Sequence, residues 1–288
     1  MPKKYMAPID PRTIRKELAK DTVPPDDSIA TVYSLGNRLE VTTLAFRRRN
    51  TSGLRKGNER YRVNSSTGEM ATYTPRKNRG EDVGSLQASF RNIRRMVEAN
   101  FRGGESELHI VLSYCGKLNP SPSELYNDFK KFWKRLRYRY PCLEYLLVIE
   151  PHEDGRFHGH LLVVDVEGHY LFIPKEELEA LWGHGSVYVE RIRDVTALGL
   201  YLSNKWQTHP NRLRFYPPRF RLCRWSDGLY KPISKKVSRD DLKQMVKAGN
   251  YTLKYSDAVQ IEAKTVTGEP VTVQKIYHET YVAYKEEL

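Results

Sequence analysis

The sequence predicts an α+β fold in which helices pack on one face of an antiparallel sheet, and three observations support this prediction. Alternating polar and apolar runs, typical of strands, are interspersed with apolar residues at helical spacing. Turn residues at 153–155 separate two apolar runs, as in an antiparallel hairpin. The 288 residues are 39% hydrophobic and 11% aromatic, enough to build a core, and no run of 18 apolar residues predicts a membrane span.

The N-terminal third is predicted to hold small elements. Many charges and prolines in residues 1–35 predict a loosely ordered arm with at most a short helix around Thr13–Lys20. Alternation predicts strands at Leu39–Phe46 and Glu59–Val63. Apolar residues at helical spacing then predict an amphipathic helix with a basic exposed side: Leu86, Phe90, Ile93 and Val97.

The central third has the most regular pattern. The predicted strands are Glu107–Tyr114, Glu144–Glu150, Phe157–Val166 and Ser186–Arg191. The predicted helices run from the start signal at 120–123 to Tyr140, over Pro174–Trp182, and from the N-cap Asp194 through Trp206. Their order, β-α-β-β-α-β with one further helix, is the split βαβ or ferredoxin-like order, an antiparallel sheet with helices packed on one face.

The last third is basic and aromatic. Ten Lys or Arg residues lie from Lys205 to Arg239, with Asp227 as the single acidic residue among them. A helix is predicted at Arg239–Ala248, and one or two strands are predicted within Thr252–Tyr284.

Charge is distributed unevenly along the chain. The 48 Lys and Arg residues exceed the 35 Asp and Glu residues by 13, which points to a polyanionic partner such as nucleic acid. The net charge is +9 over residues 1–100, −3 over residues 101–200 and +7 over residues 201–288. This suits a central site whose carboxylates do chemistry or hold a metal, between segments that neutralise phosphates. An ordinary solvated surface with uneven charge is the alternative.

The cysteines and the first residues bear on the compartment. Cys115, Cys142 and Cys223 form no CxxC pair, so they predict reduced thiols rather than a disulfide framework or a zinc ribbon. The first residues have no apolar segment of a secretory signal, and we expect the protein in the cytoplasm.

Two histidines stand out within the predicted hairpin. His158 and His160 are two residues apart, so a strand presents both imidazoles on the same face. If the hairpin closes near Gly155, the Glu150 carboxylate lies beside them, and the three side chains could hold a divalent metal. His152 is an alternative third ligand. A surface or core His pair without metal is the alternative for the whole set.

The last central helix carries Tyr201 and Lys205, which are four residues apart and therefore share a helix face. A phenol is a poor nucleophile unless a metal or cation stabilises the charge that develops. Beside a metal on the sheet, Tyr201 becomes a candidate nucleophile, and a core or interface tyrosine is the alternative.

The order of these motifs resembles the HUH endonucleases, specifically the rolling-circle replication initiator (Rep) proteins of plasmids and phages. The resemblance covers roughly residues 85–235 and rests on four segments, namely ELHIVLSY, EPHEDGRFHGHLLVV, WGHGSVYVERI and LGLYLSNKW. It implies a palm-like antiparallel sheet on which His158 and His160 bind Mn²⁺ or Mg²⁺, with Glu150 as the third ligand. It also implies that Tyr201 is the nucleophile and Lys205 the assisting lysine.

The sequence departs from this family at two points. Gly159 stands between the histidines, where the family has a bulky hydrophobic residue, and the Tyr-to-Lys spacing is four rather than three. His169 and His184 are left as further candidates for groups around the metal.

The resemblance implies an enzyme that nicks one strand at a replication origin and leaves a 5′-phosphotyrosine and a 3′-OH primer. Its implied partners are single-stranded and hairpin origin DNA, together with a host helicase and polymerase, because no phosphate-loop motif indicates a motor in this chain. The alternatives are a non-catalytic nucleic-acid-binding module on the same fold and an HUH nickase of the relaxase or transposase type. A metal hydrolase unrelated to DNA is disfavoured, since Asp165 lies five residues after His160 rather than in an H-x-H-x-D-H motif.

These expectations divide the chain into three parts. Residues 1–100 form a basic N-terminal region, 101–206 the catalytic nicking domain, and 207–288 a basic and aromatic region that contacts DNA. Basic residues follow a DNA backbone while aromatic residues stack on bases. The residues predicted to contact DNA are Arg91, Arg94, Arg95, Trp206, Arg214, Arg219, Arg221, Arg224 and Trp225. Core packing for the aromatic residues, and a solvated surface for the arginines, are the alternatives.

Overall fold

The computed structural model describes residues 13–19, 21–47, 54–56, 61–64, 70–72, 77–116, 118–204 and 208–283. The chain forms two compact units, one of Pro75–Pro232 and one that combines Met1–Thr74 with Ile233–Leu288. We call them the central unit and the terminal unit. This division differs from the three predicted segments because strands from the two ends of the chain pair in one sheet.

Among its described residues, the central unit has four helices and five strands. Its helices are α1 (Val83–Asn100), α2 (Pro122–Arg139), α3 (Lys175–Trp182) and α4 (Val195–Ser203). Its strands are β7 (Glu107–Leu112), β8 (Leu143–Pro151), β9 (Phe157–Asp165), β10 (Val187–Arg191) and β11 (Cys223–Trp225). Short 3-10 turns occur at Arg79–Glu81 and Pro210–Phe215.

The terminal unit is built mainly from strands. They are β1 (Arg15–Leu18), β2 (Ile29–Leu35), β3 (Arg38–Arg47), β4 (Leu54–Lys56), β5 (Tyr61–Asn64), β6 (Met70–Thr72), β12 (Ser234–Ser238), β13 (Tyr251–Lys264) and β14 (Pro270–Ala283). One helix, α5, covers Arg239–Ala248.

The sheet of the central unit confirms the predicted α+β fold. Its strand order is β10-β7-β9-β8-β11, and all neighbouring strands are antiparallel. Without the added edge strand β11, this is the split βαβ order that the sequence predicts. The sheet is therefore a continuous support on which residues from β7, β8, β9 and β10 meet.

Local capping explains where the crossover helix α2 begins. The Ser121 hydroxyl accepts a hydrogen bond from the Glu124 backbone N–H, and the Glu124 carboxylate accepts one from the Ser121 N–H. This capping box satisfies two donors that a helix start leaves unpaired. Apolar residues of α2 at helical spacing are then fully buried: Leu125, Phe129, Phe132 and Leu136.

The two faces of the central sheet differ in character. We call the face that carries His158 and His160 the histidine face, and the face that carries Gly159 and Leu161 the apolar face, since successive strand residues alternate. The crossover helix α2 packs on the apolar face, where the Phe129 and Tyr145 ring centroids are 4.9 Å apart.

The prediction that helices lie on one face is wrong for α4. This helix lies over the histidine face, where the Tyr201 ring contacts the His160 ring, and α1 packs against α4 in turn. The reason is topological: the helix follows β10, an edge strand, and is free to cross to the side that the two crossover helices leave open.

The terminal unit contains a six-stranded antiparallel sheet in the order β1-β13-β14-β3-β2-β12. Its small core joins buried residues of β2, β3 and α5, including Val32, Val41 and Leu242. The N- and C-terminal regions that the sequence presents as separate extensions therefore form one unit.

The short helix expected around Thr13–Lys20 is also wrong. Residues Arg15–Leu18 form β1, which pairs with β13 at the edge of the sheet, and all four are exposed. The exposed edge of β13 offers unpaired backbone groups to this segment, and that pairing outweighs its weak local helix preference.

Among the described residues, no helix has the length and apolar character needed to cross a membrane.

Candidate metal centre

The β8–β9 hairpin brings the three predicted ligands together. Its turn spans residues 152–156, with Gly155 at a positive φ of 86° that favours glycine. The pairing register sets Glu150 opposite His158, and two-residue alternation puts His160 on the same face. Because both the turn and the alternation are local, the sequence encodes this arrangement directly.

Glu150, His158 and His160 form a buried group that could hold a metal ion. Their ligand atoms all lie within 4.8 Å of one another. The Nε2 atoms of His158 and His160 are 3.0 Å apart, and Nε2 of His160 is 3.2 Å from Oε2 of Glu150. Two imidazole nitrogens and a carboxylate oxygen that converge in this way are a suitable donor set for a divalent transition metal.

A further histidine and a carboxylate stand behind His160. The Nδ1 atom of His160 is 3.0 Å from Nε2 of His109 on β7, and Nδ1 of His109 is 2.9 Å from Oε1 of Glu190 on β10. The Tyr188 hydroxyl donates to the other oxygen of Glu190 at 2.9 Å. Three neighbouring strands thus supply one continuous hydrogen-bonded row on the histidine face.

Burial and neighbouring charge set the protonation of this row. Burial, followed by the proximity of His160, lowers the pKa of His109, which favours its neutral form. Burial of Glu190 would raise its pKa, but hydrogen bonds from His109 and Tyr188 outweigh that effect and the pKa is lowered. A neutral imidazole beside an ionised carboxylate is the result.

An arginine lies on the opposite side of the cluster. The guanidinium of Arg212 is 3.6 Å from Oε1 of Glu150 and donates to Glu153 at 2.9 Å. The hydrogen bond from Arg212 also lowers the pKa of the Glu153 carboxyl. Arg212 therefore links the 3-10 turn after α4 to the strand that carries Glu150.

Tyr201 lies on α4 directly above the cluster. Its ring meets the His160 ring edge-on, with centroids 5.7 Å apart, and 49% of the residue is exposed, so a substrate can reach it. The Asp194 carboxylate accepts a hydrogen bond from the Ala197 N–H and fixes the start of this helix.

A cavity of about 770 Å³ opens between α4 and strands β7 and β10. His160 and Tyr201 lie in its wall, together with His109 and Glu190. The cavity has the size of a small-ligand site and places the predicted nucleophile and one predicted ligand at the same surface.

Two predicted residues fall outside the described part of the chain. Helix α4 ends at Ser203, and Lys205 and Trp206 lie in the gap between residues 204 and 208.

The histidine alternatives occupy different places. The ring of His152 stacks on that of His158 at 4.0 Å, but His152 is not a member of the group that could hold a metal. His169 is exposed beside Asp165 and Glu167, and His184 lies beside Asp128 of α2. The ion pairs of His169 and His184 are therefore with carboxylates outside the cluster, whereas His109 contacts His160 directly.

Gly159 has a steric explanation. A Cβ atom at this position would lie 3.1 Å from Cδ1 of Leu147 and 3.7 Å from Cδ2 of Leu125 on α2. The apolar face therefore has no room for the bulky residue that the resemblance leads one to expect between the histidines.

The predicted DNA contacts are spread over several surfaces of the central unit. On α1, Arg91 is exposed, whereas Arg94 and Arg95 are half-buried, and Arg94 packs against α4 at Gly199. After α4, Arg214 is exposed and stacks on Phe215 at 4.9 Å.

The remaining predicted DNA contacts follow this turn. Arg219 and Arg221 are exposed, and Arg221 lies 4.3 Å over the half-buried ring of Trp225. Arg224 stacks at 4.1 Å on Tyr126 of α2, which packs on the apolar face. Arg224 therefore lies on the side of the sheet away from the histidines.

Three residues of this site were not predicted: His109, Glu190 and Arg212. The signal for the first two was available, since the split βαβ order sets β7 between β9 and β10, and alternation puts His109 and Glu190 on the histidine face. Nothing in the local sequence distinguishes Arg212 from the other arginines around it.

Part of the chain is similar to a known protein family. Residues 107–209 match the family model described as replication-associated protein ORF2/G2P. No curated protein and no solved structure matches the chain significantly. The matched range contains Glu150, His158, His160 and Tyr201, and its similarity supports a replication initiator of the Rep type that binds DNA.

Proposed function

We propose that this protein is a metal-dependent DNA nicking enzyme that starts replication by cutting one strand of an origin with Tyr201. The observation that carries the proposal is the position of Tyr201, half-exposed and edge-on to His160, above the buried Glu150, His158 and His160. Similarity to replication-associated proteins over residues 107–209 supports the choice of DNA as substrate. An HUH nickase of the relaxase or transposase type would use the same chemistry on another DNA site.

His158, His160 and Glu150 would hold the divalent metal, Mn²⁺ or Mg²⁺. Their donor set fits such an ion, and imidazole nitrogen favours Mn²⁺ over the harder Mg²⁺. When bound, the ion supplies positive charge that stabilises the extra negative charge on a phosphate oxygen in the transition state.

Tyr201 would act by in-line attack of its phenol oxygen on the scissile phosphorus. A bond forms between this oxygen and phosphorus, the bond from phosphorus to the 3′ oxygen breaks, and the phenolic proton passes to solvent while the leaving oxygen gains a proton. The products are a 5′-phosphotyrosine and a free 3′-OH, which can prime synthesis. One phosphate ester replaces another, so the reverse attack can reseal the strand without ATP. Lys205 would assist this step as a cation.

The exposed arginines after α4 would hold the single strand. Arg214 and Arg221 each lie over an aromatic ring, an arrangement that presents a fixed cation beside a stacking surface. Arg212 connects the same segment to Glu153, next to the cluster. The strand would then pass from this basic segment towards Tyr201.

The test is adduct formation with labelled single-stranded DNA. The full chain is incubated with Mn²⁺ and a pool of random single-stranded oligonucleotides that contain a stem-loop, and the products are separated on a denaturing gel. With a 3′ label we expect a Mn²⁺-dependent covalent band at the mass of the protein plus DNA. With a 5′ label we expect only a shortened free fragment, because the protein joins the 5′ phosphate.

Tyr201→Phe should reduce the adduct below detection, because the ring remains but the attacking oxygen is lost. The matched control is Tyr138→Phe on α2, where the tyrosine is 90% exposed and should leave the adduct unchanged. An adduct of equal yield in Tyr201→Phe would exclude this nucleophile. DNA binding without any adduct in the wild-type protein would identify a non-catalytic binding module instead.

A further inference from the structure

Hydrogen bonds join His160, His109 and Glu190 in a row. The direction of donation along this row follows from which atoms can donate and which can only accept. Glu190 ends the row as a carboxylate, which can only accept, so Nδ1–H of His109 donates to it over 2.9 Å. With the proton of His109 on Nδ1, its Nε2 atom has a lone pair and accepts from Nδ1–H of His160 over 3.0 Å. His160 is left with its lone pair on Nε2, the atom that faces His158 and Glu150.

A competing arrangement exists at His160. If its proton moved to Nε2, the imidazole could donate to Oε2 of Glu150, which is 3.2 Å away. That tautomer would use both the nitrogen and the carboxylate oxygen in a hydrogen bond with each other. Neither atom could then bind a metal until the proton had been displaced.

We propose that His109 and Glu190 are positioning residues that hold His160 in the tautomer with Nδ1–H and so keep its Nε2 atom available as a metal ligand. This inference rests on the proposed function, because it assigns a purpose to the metal ligands. Outer hydrogen-bond partners commonly fix the tautomer and ring orientation of a metal-binding histidine. Here the partner is a second histidine that transmits the effect of a carboxylate two strands away.

The sheet makes this control rigid. His109 is 5% exposed and Glu190 is paired with it directly across β7 and β10, so neither side chain needs a flexible loop for its position. The rings of His109 and His160 are stacked with centroids 5.3 Å apart. Tyr188, on the same strand as Glu190, donates to the second carboxylate oxygen and restrains its rotation.

Different substitutions test the two hydrogen bonds of the row one at a time, that from His160 to His109 and that from His109 to Glu190. His109→Leu removes the acceptor for His160, whereas His109→Gln can keep an amide oxygen near Nδ1 of His160 and lose the link to Glu190. Glu190→Gln keeps the shape but can turn its amide NH₂ towards His109, which permits the reversed row and the competing tautomer. Glu167→Gln is the matched control, because Glu167 contacts exposed His169 away from the cluster.

The first measurement is the Kd for Mn²⁺, by calorimetry or by the loss of the free-ion signal in electron paramagnetic resonance. Loss of an outer partner lowers metal affinity about 10- to 100-fold. We expect a loss in this range for His109→Leu, a smaller loss for His109→Gln and Glu190→Gln, and none for Glu167→Gln. A purely structural role of His109 would give no advantage to His109→Gln over His109→Leu.

The second measurement is the tautomer itself. In metal-free protein labelled with ¹⁵N-histidine, the nitrogen chemical shifts of His160 should show Nδ1 protonated in the wild type. The Nε2-protonated form should gain population in Glu190→Gln. This readout needs no metal and is insensitive to a general loss of activity.

The outcomes distinguish this inference from the proposed function. Normal Mn²⁺ binding by the wild type, with unchanged Kd in His109→Leu and Glu190→Gln, would overturn the inference alone. An Nε2-protonated His160 in the wild type would do the same. Absence of Mn²⁺ binding in the wild type would overturn both.

Discussion

A buried polar cluster in the terminal unit and the cluster around His160 in the central unit differ in how their charges are balanced. In the terminal unit, the Arg239 guanidinium donates to both oxygens of Glu279, and the Tyr281 hydroxyl donates to the same carboxylate at 2.8 Å. Every strong acceptor in this cluster faces a donor of the protein. The charge of the Glu279 carboxylate is therefore balanced within the protein, and its ion pair with Arg239 connects β14 to α5.

The cluster of the central unit is arranged differently. Three atoms that could ligate a metal, one each from Glu150, His158 and His160, lie within 4.8 Å of one another, and the Tyr201 ring contacts the His160 ring. The guanidinium of Arg212 lies 3.6 Å from the Glu150 carboxylate and forms a closer ion pair with Glu153.

The balance of charge within a buried cluster distinguishes one that stabilises the fold from one that could bind a cation. Both are buried and both contain a carboxylate, so burial alone does not separate them. A cluster that pairs its own charges stabilises the fold, whereas a cluster that points several lone pairs at one position suits a cation from outside. Substitutions should therefore affect stability in the first cluster and metal binding in the second.

The largest effect is expected for Arg239→Ala. This substitution leaves Glu279 buried without its cation, and breaking a buried ion pair in this way costs about 3–5 kcal/mol. The free energy of unfolding by urea, followed by circular dichroism, measures the loss. The control is Lys243→Ala on the same helix, whose partners Asp26 and Asp240 are exposed, and it should unfold close to the wild type. If both variants unfolded at the same urea concentration, the first cluster would not be the structural one.

Metal addition should have the next largest effect, and only through the second cluster. At a Mn²⁺ concentration about 100 times Kd, binding stabilises the folded form by about 2.7 kcal/mol. For a unit of this size the melting temperature of the central unit then rises by roughly 5–10 °C, measured by differential scanning calorimetry with and without EDTA. His160→Asn should abolish the rise, and Arg239→Ala should retain it. Loss of the rise in Arg239→Ala would contradict the separation of the two clusters.

A smaller effect is expected for Gly159→Val, which tests whether the two faces of the central sheet act separately. The new side chain would press against Leu147 on the apolar face, and such overpacking costs about 1–3 kcal/mol. Urea unfolding should show this loss while the Kd for Mn²⁺ stays unchanged, because the histidines lie on the other face. The double variant with Leu147→Ala should recover part of the stability.

The control for this substitution is Gly84→Ala in α1, where a Cβ atom would meet nothing within 4 Å. Alanine favours a helix over glycine, so this variant should be no less stable than the wild type. Loss of Mn²⁺ binding in Gly159→Val would show that the two faces are coupled.

Much of the central unit could be predicted from the sequence because its signals are local. The predicted helix over Arg239–Ala248 is confirmed residue for residue, since Ser238 and Asp241 form a capping box at its start. The start of α2 lies within the predicted start signal at 120–123, and the strands β8 and β9 differ from their predicted bounds by no more than one residue at either end. Glu150, His158 and His160 could be selected for the same reason, since a short turn and strand alternation suffice to bring them together.

Elements whose structure or position depends on distant parts of the chain were predicted wrongly. The segment Arg15–Leu18 has no strong pattern of its own and becomes a strand only because β13 offers it an edge. Helix α4 has a clear N-cap at Asp194, but the cap says nothing about which face of the sheet the helix covers. The roles of Tyr201 and Lys205 stay predictions.

The sequence alone was enough to predict four of the five strands of the central sheet, their order along the chain and the three side chains that could hold a metal. Those features depend on residues a few positions apart, where backbone geometry fixes the outcome. Long-range contacts in the folded chain added what the sequence did not show: the edge strand β11, the approach of Arg212 to Glu150, the row from His160 through His109 to Glu190, and the pairing of N- and C-terminal strands in one sheet. These contacts join residues that are far apart in the chain, and long-range pairing is selected by packing of the whole fold rather than by any local pattern.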